Sequence, residues 1–233
     1  VIMPRVVGTH DDLFKRSTAW DVIVEHTDLL VAFGGLALKN TGINHGGTTA
    51  HPARAALRAL RDRGGQIVSF SPLREDVEGE YQWHAPVPGT DVAIMLGLAH
   101  VLATEGLADR AFLDEYCIGY PQFERYLLGT DDGVPKSAQW AAGISGLAAR
   151  DITALARRMA AGRTLVTVSW SLQRIRHGEQ APWMGLTLAA MLGQIGVPGG
   201  GFGHGYGSMN EPGLAPLRHR LPVLPQGANP VRT

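Results

Sequence analysis

A chain of 233 residues with 45% hydrophobic and 18% charged positions has enough apolar content to bury a core, which excludes general disorder. The 21 Lys and Arg balance the 21 Asp and Glu, so no net field attracts nucleic-acid phosphates or an anionic membrane. Residues 29–38 and 92–103, the longest apolar runs, fall short of the ~18 needed to span a bilayer, and the single cysteine, Cys117, excludes a disulfide framework, a CxxC redox pair and a cysteine-held iron–sulfur cluster.

In chain order, the first clear unit is Leu29-Leu30-Val31-Ala32-Phe33, a short apolar run stopped by glycines and read as a buried parallel strand. A glycine-rich loop over 34–47 follows it. His51-Pro52 then opens a helix over 53–63, with Ala56, Leu57 and Leu60 on one face and Arg54, Arg58 and Arg61 on another. Gly64-Gly65 end that helix, and a strand over 66–70 running into Ser71-Pro72 completes a right-handed βαβ unit. Further helices are expected over 91–105, 109–117, 122–128, 137–142 and 151–161, the first capped by Thr90 or Asp91 and the last closed by Gly162. A β-branched strand over 163–169 and a helix over about 178–195 lead to a glycine run that fills eight of the fifteen positions 193–207. The pattern is α/β, a mostly parallel Rossmann-like sheet flanked by helices, and ligands in such sheets sit at the carboxyl ends of the strands. Val1 opens without Met or a signal-like core, and residues 210–233 hold five of the 14 prolines, so both ends read as cut from a longer polypeptide.

Several segments at those strand ends can carry chemistry. The loop GGLALKNTGINHGG lacks GxGxxG, and Lys39 within it is either a point charge for a phosphate or ring carbonyl or a solvated loop lysine. Ser71-Pro72-Leu73-Arg74 follows the second strand, where α/β folds read a ribose; Arg74 either holds a phosphate or balances Glu75 and Asp76. Asp91 either caps its helix or accepts the paired N–H donors of a guanine edge. The segment Ser169 to Gln180 packs two hydroxyls, a Trp, two Arg, a His and two amides into twelve positions, a donor density suited to a multidentate anionic or heteroaromatic ligand. The glycine run reads as a poor helix and too short of side chains for a core strand, leaving close backbone approach to a ligand or a flexible linker. No Ser-His-Asp order or HExxH accompanies these segments.

SWSLQRIRHGEQ, LAAMLGQIGVPGGGFG, PGTDVAIMLGLAHVL and VPKSAQWAAGISG, in that spacing, resemble the dimethyl sulfoxide reductase family of molybdopterin oxidoreductases, from VIMPRVVG at Val1 to about Gly207. The resemblance implies molybdenum held by a bis(molybdopterin guanine dinucleotide) cofactor, and reduction of a small-molecule S-oxide or N-oxide by oxygen atom transfer with electrons from a donor protein that the sequence does not identify. It implies catalytic roles for Arg174, as substrate steerer, and Trp170. It implies cofactor contacts by Lys39, Ser71, Pro72, Arg74, Asp91, Trp170, Ser171, Leu172, Gln173, His177, Gly201, Phe202 and Gly203. Ser71 stands where relatives usually carry Asp or Asn before the proline. The organisation so implied is a lead-in over 1–26, a molybdopterin guanine dinucleotide-binding region over 27–207, and a proline-rich linker over 208–233. The protein ligand to molybdenum is expected N-terminal to this region and a further cofactor-binding domain C-terminal to it, in a periplasmic or cytoplasmic enzyme. The alternatives are a non-catalytic cofactor-binding module on the same sheet and an ordinary NAD-binding domain, which the missing GxGxxG weighs against.

Overall fold

The computed structural model describes residues 2–9, 13, 17–42 and 50–214. Residues 43–49 of the first glycine loop and most of the expected linker, 215–233, lie outside the described residues. The described elements are α1 (Met3–Val7), α2 (Trp20–His26), β1 (Leu29–Phe33), α3 (Ala53–Asp62), β2 (Gln66–Phe70), β3 (Gln82–His84), α4 (Asp91–Thr104), α5 (Arg110–Tyr116), α6 (Tyr120–Leu127), α7 (Ala138–Ser145), α8 (Ala149–Ala161), β4 (Thr164–Val168), α9 (Gln180–Met191) and β5 (Gly201–His204). Single 3-10 turns at Leu38–Gly42, Arg74–Asp76 and Trp170–Arg174 follow β1, β2 and β4.

The five strands form one parallel sheet in the order β3-β2-β1-β4-β5. β1 lies in the middle, with Phe33 level with Phe70 of β2 and Val168 of β4. Successive side chains alternate between two cores, as the pleat requires. Val31, Phe33, Val68 and Val168 pack under α4, α8 and α9, whereas Leu30, Ala32, Ile67 and Leu165 pack with Trp20, Ile23, Leu57 and Leu60 of α2 and α3. Both faces of the central strands are covered, which is why β1 and β4 are buried at every position and show no apolar-polar alternation. α4 is buried on nearly all sides and correspondingly apolar; its Gly97 leaves room for Ala141 of α7, whose Cβ would stand 2.7 Å from a Cβ at 97.

Phe33 is fully buried and stacks on Phe70 with ring centroids 4.7 Å apart and planes 4° from parallel. Phe33→Ala removes that stack beneath the carboxyl edge of the sheet and is expected to cost about 3–5 kcal/mol of stability, read by urea denaturation with the slope unchanged.

Two strands depart from the sequence expectation. β3 is a three-residue edge strand, Gln82-Trp83-His84, with no apolar run to announce it; pairing with Val68 to Phe70 makes it a strand. The glycine run, expected to be neither helix nor core strand, contains β5, paired with Leu165 to Val168. Its glycines are needed because neighbouring protein takes their side-chain space: a Cβ at 203 would stand 2.1 Å from the Tyr206 ring, and one at 201, where φ is +91°, 3.0 Å from the Gln194 carbonyl oxygen. The expected cap of α4 is also corrected. Thr90 occupies the N-cap with φ −104° and ψ 8°, makes no cap hydrogen bond, and donates its hydroxyl to the Val87 carbonyl at 2.6 Å. Residues 17–26 pack onto the sheet rather than trailing from it: Tyr206 donates to the Thr18 carbonyl, Trp20 meets Tyr206 edge-on at 5.1 Å, and the Trp20 N–H donates to the Gly213 carbonyl.

Candidate functional site

The carboxyl ends of β1, β2 and β4 open into one cleft of about 610 Å³. It lies at the point where the chain passes from one side of β1 to the other, the crevice in which open α/β sheets take ligands. Lys39, Ser71, Pro72, Asp91, Trp170, Ser171, Leu172 and Arg174 all line it. Lys39 and Trp170 therefore share one cavity although 131 positions separate them in the chain.

Each wall has a local cause. After β1 the chain turns through Gly34 and Gly35 with φ of +81° and +82°, a conformation that disfavours other residues. A Cβ on Gly34 would stand 2.7 Å from the Ser169 Cβ, so glycine here lets the ends of β1 and β4 close together. After β4, the Ser169 side chain caps the following turn by accepting from the Ser171 N–H. Its hydroxyl also lies 3.0 Å from the Ser171 hydroxyl and 3.2 Å from that of Ser208, and Ser208 accepts from the Trp170 N–H at 2.8 Å. Gly205, at φ +95°, presses its backbone against the indole of Trp170, since a Cβ there would stand 2.1 Å from Nε1. That second glycine cluster thus approaches a flat ring closely, and the ring is Trp170.

After β2, Ser71 donates its hydroxyl to the Asp76 carboxylate at 2.5 Å and accepts from the Leu73 N–H at 3.2 Å. Asp76 lines the cleft as well. Asp91, at the first position of α4, is buried at 6% exposure, and burial pushes its carboxyl up to about 6. Among the described residues no other residue pairs with it; the backbone hydrogen bond that opposes the shift is its own. The cleft therefore offers two cations, Lys39 and Arg174, on exposed turns and two carboxylates, Asp76 and Asp91, at its walls.

Other candidates sit elsewhere. Arg74 is exposed outside the lining, with its guanidinium 6.0 Å from the Trp83 ring centroid. Gln173 and His177 are exposed and do not line the cleft, because the chain curls tightly there: His177 takes φ +57°, and a Cβ on Gly178 would stand 2.1 Å from the Gln173 carbonyl oxygen. Gly201, Phe202 and Gly203 form β5, outside the lining. The cleft adds residues that sequence reasoning passed over, above all Asp76, Asn40 and Ser208. Asp76 had looked like a surface charge balancing Arg74, and Ser208 lies just beyond the glycine run.

A three-layer parallel α/β domain with a cleft at the strand crossover belongs to the doubly wound α/β class, whose members take ligands at that crossover. The chain is, more particularly, a member of the molybdopterin oxidoreductase family, whose model, described as Molybdopterin oxidoreductase, matches residues 7–233. It is 45% identical over 208 residues to a dimethyl sulfoxide/trimethylamine N-oxide reductase of Cereibacter sphaeroides, covering 88% of this chain and 25% of that protein. Identity is 42% over 226 residues to trimethylamine-N-oxide reductase 1 of Escherichia coli (strain K12), with 91% of this chain and 26% of that one covered. It is 39% over 235 residues to a biotin sulfoxide reductase of Cereibacter sphaeroides, with 100% and 32% covered. The chain thus spans about a quarter to a third of the length of these relatives. Among solved structures, acetylene hydratase from Pelobacter acetylenicus shares the fold, with a TM-score of 0.59 at 20% identity over 81% of this chain and 24% of that one. Family membership implies a molybdenum and molybdopterin cofactor.

Proposed function

We propose that this chain supplies one wall of the cradle for a bis(molybdopterin guanine dinucleotide) cofactor in a molybdenum oxidoreductase that reduces S-oxides or N-oxides. The observation that carries the reading is Asp91, a buried carboxylate on the cleft wall with no partner side chain among the described residues. A guanine edge presents two adjacent N–H donors, which a carboxylate can accept together; an adenine edge does not. The other lining groups fit the rest of a guanine dinucleotide. The Ser71–Asp76 pair offers an acceptor for a ribose hydroxyl after β2, and Lys39 brings a cation for a pyrophosphate oxygen or a ring carbonyl. Trp170 offers a flat wall fixed by Ser208 and Gly205, and Arg174, on the same turn, lines the cleft with no ion pair among the described residues.

The bound cofactor would supply the two-electron chemistry of oxygen atom transfer. The residues of this chain orient the cofactor, neutralise its anionic tail and place a guanidinium where a polar S–O or N–O oxygen arrives. Relatives named as reductases of dimethyl sulfoxide, trimethylamine N-oxide and biotin sulfoxide support that substrate class.

Calorimetry with guanosine and adenosine diphosphates tests the nucleotide reading. The purified chain is expected to prefer the guanosine nucleotide, and Asp91→Asn to lose about 3 kcal/mol of that preference, roughly a hundredfold in affinity. Equal affinity for the two nucleotides, or a preference unchanged in Asp91→Asn, sinks the assignment.

A further inference from the structure

We infer that the opposite, amino-terminal edge of the sheet carries a second site, which takes a small oxyanion of the phosphate or carboxylate type. A pocket of about 620 Å³ opens there, and no residue lines both it and the cofactor cleft. It is built from the last turn of α3 and the Gly64-Gly65 turn, the start of β2, the approach to β3, and Arg158 of α8. These elements meet because β2 and β3 start side by side and α8 crosses them on one face while α3 feeds β2 from the other.

Two guanidinium groups converge on this pocket. Arg158 donates to the side-chain oxygens of Gln82 at 2.5 Å and Gln66 at 2.6 Å, which fixes its plane without neutralising its charge. Arg61 makes no ion pair among the described residues, and its Nη1 is buried without a hydrogen-bond acceptor. The turn at Gly79 closes over it, for a Cβ at that position would stand 2.8 Å from Nη2. A desolvated guanidinium nitrogen without an acceptor is unfavourable unless a negative group compensates it. Among the residues lining this pocket the sole carboxylate is Glu80, which is exposed and forms no ion pair with either arginine. The pocket therefore keeps a net positive charge in a protein whose formal net charge is zero. Planar guanidinium forks suit an oxyanion with two or three oxygens.

The test is calorimetric titration of the purified chain with inorganic phosphate and, in a separate arm, with malonate, with potassium chloride holding ionic strength constant. Saturable binding in either arm is expected, and the arm that binds more tightly distinguishes a phosphoryl from a carboxylate ligand. Arg61→Gln should weaken that binding about tenfold or more, as expected for loss of a charge-assisted contact, and because Arg61 lies outside the cleft this loss locates the site. Glu80→Gln, at an exposed position, should tighten binding about threefold by removing a like charge. Absence of binding beyond the chloride control overturns the inference, as does an Arg61→Gln protein that binds phosphate and malonate as the parent does. Should Arg61→Gln fail to fold, an unchanged affinity in Glu80→Gln overturns it instead.

Discussion

Arg174→Ala, made in the assembled molybdenum enzyme, is expected to lower oxide reduction about a hundredfold, roughly 3 kcal/mol of transition-state stabilisation, while molybdenum content stays near that of the parent. The expectation rests on position. Arg174 closes the 3-10 turn after β4, lines the cleft beside Trp170, and has no ion pair among the described residues that would tie it up. A guanidinium there can donate to the substrate oxygen as negative charge grows on it. Arg174→Lys should recover only part of the rate, because an ammonium lacks the planar fork. Metal analysis beside steady-state reduction separates substrate steering from cofactor retention: loss of molybdenum in the Ala variant would assign Arg174 to the latter.

The second large effect is the pH dependence that Asp91 builds into the chain. Burial raises its carboxyl from 3.8 to about 6. A raised carboxyl means that the folded state holds the proton more tightly than the unfolded chain. The associated stability is therefore fully present below about pH 4 and lost as pH rises through about 6. Two pKa units correspond to about 3 kcal/mol. The difference in stability between the parent and Asp91→Asn should thus shrink or reverse by about that amount between pH 4 and pH 7, measured by urea denaturation at each pH. Guanine nucleotide affinity should run the other way, weakening as pH falls below about 6, because only the ionised carboxylate accepts both donors. A parent and an Asn variant with parallel stability profiles would show that Asp91 is not desolvated as the structure has it. These opposed dependences describe a site that is unfavourable when empty and ionised, and that a ligand with two donors relieves.

Much of the scaffold was legible in the residues. The apolar run at Leu29 to Phe33, the Gly64-Gly65 stop and the β-branched run at 164–168 are signals between near neighbours, and the strands and most of the helices appear within a few residues of where those signals place them. β3 and β5 were not legible. Gln82-Trp83-His84 has no apolar run, and glycines are ordinarily depleted in strands; each becomes a strand because a neighbouring strand offers it a ladder of backbone donors and acceptors. The cap expected at Asp91 failed for a related reason. Propensity describes an acidic residue at a helix start as a cap, but here the helix end is sunk beneath the cleft wall, where burial outweighs the hydrogen bond of the carboxyl to its own backbone.

By itself the sequence determined the α/β class, the mostly parallel sheet implied by alternating strands and helices, and the family resemblance, and it singled out some of the residues that line the cleft. These rest on composition, local periodicity and motifs, which are properties of short stretches of chain. Only the tertiary structure decided which polar residues at the strand ends share one cavity. It joined Ser71 to Asp76 and Trp170 to Ser208, and left Arg74 against Trp83 and His177 in an exposed turn. It also gathered Arg61 and Arg158 at the far edge of the sheet. Such meetings depend on strand register, on the close approach that glycines at 34, 203 and 205 permit, and on which charges burial leaves unpaired. Those quantities exist only when segments distant in sequence pack against one another.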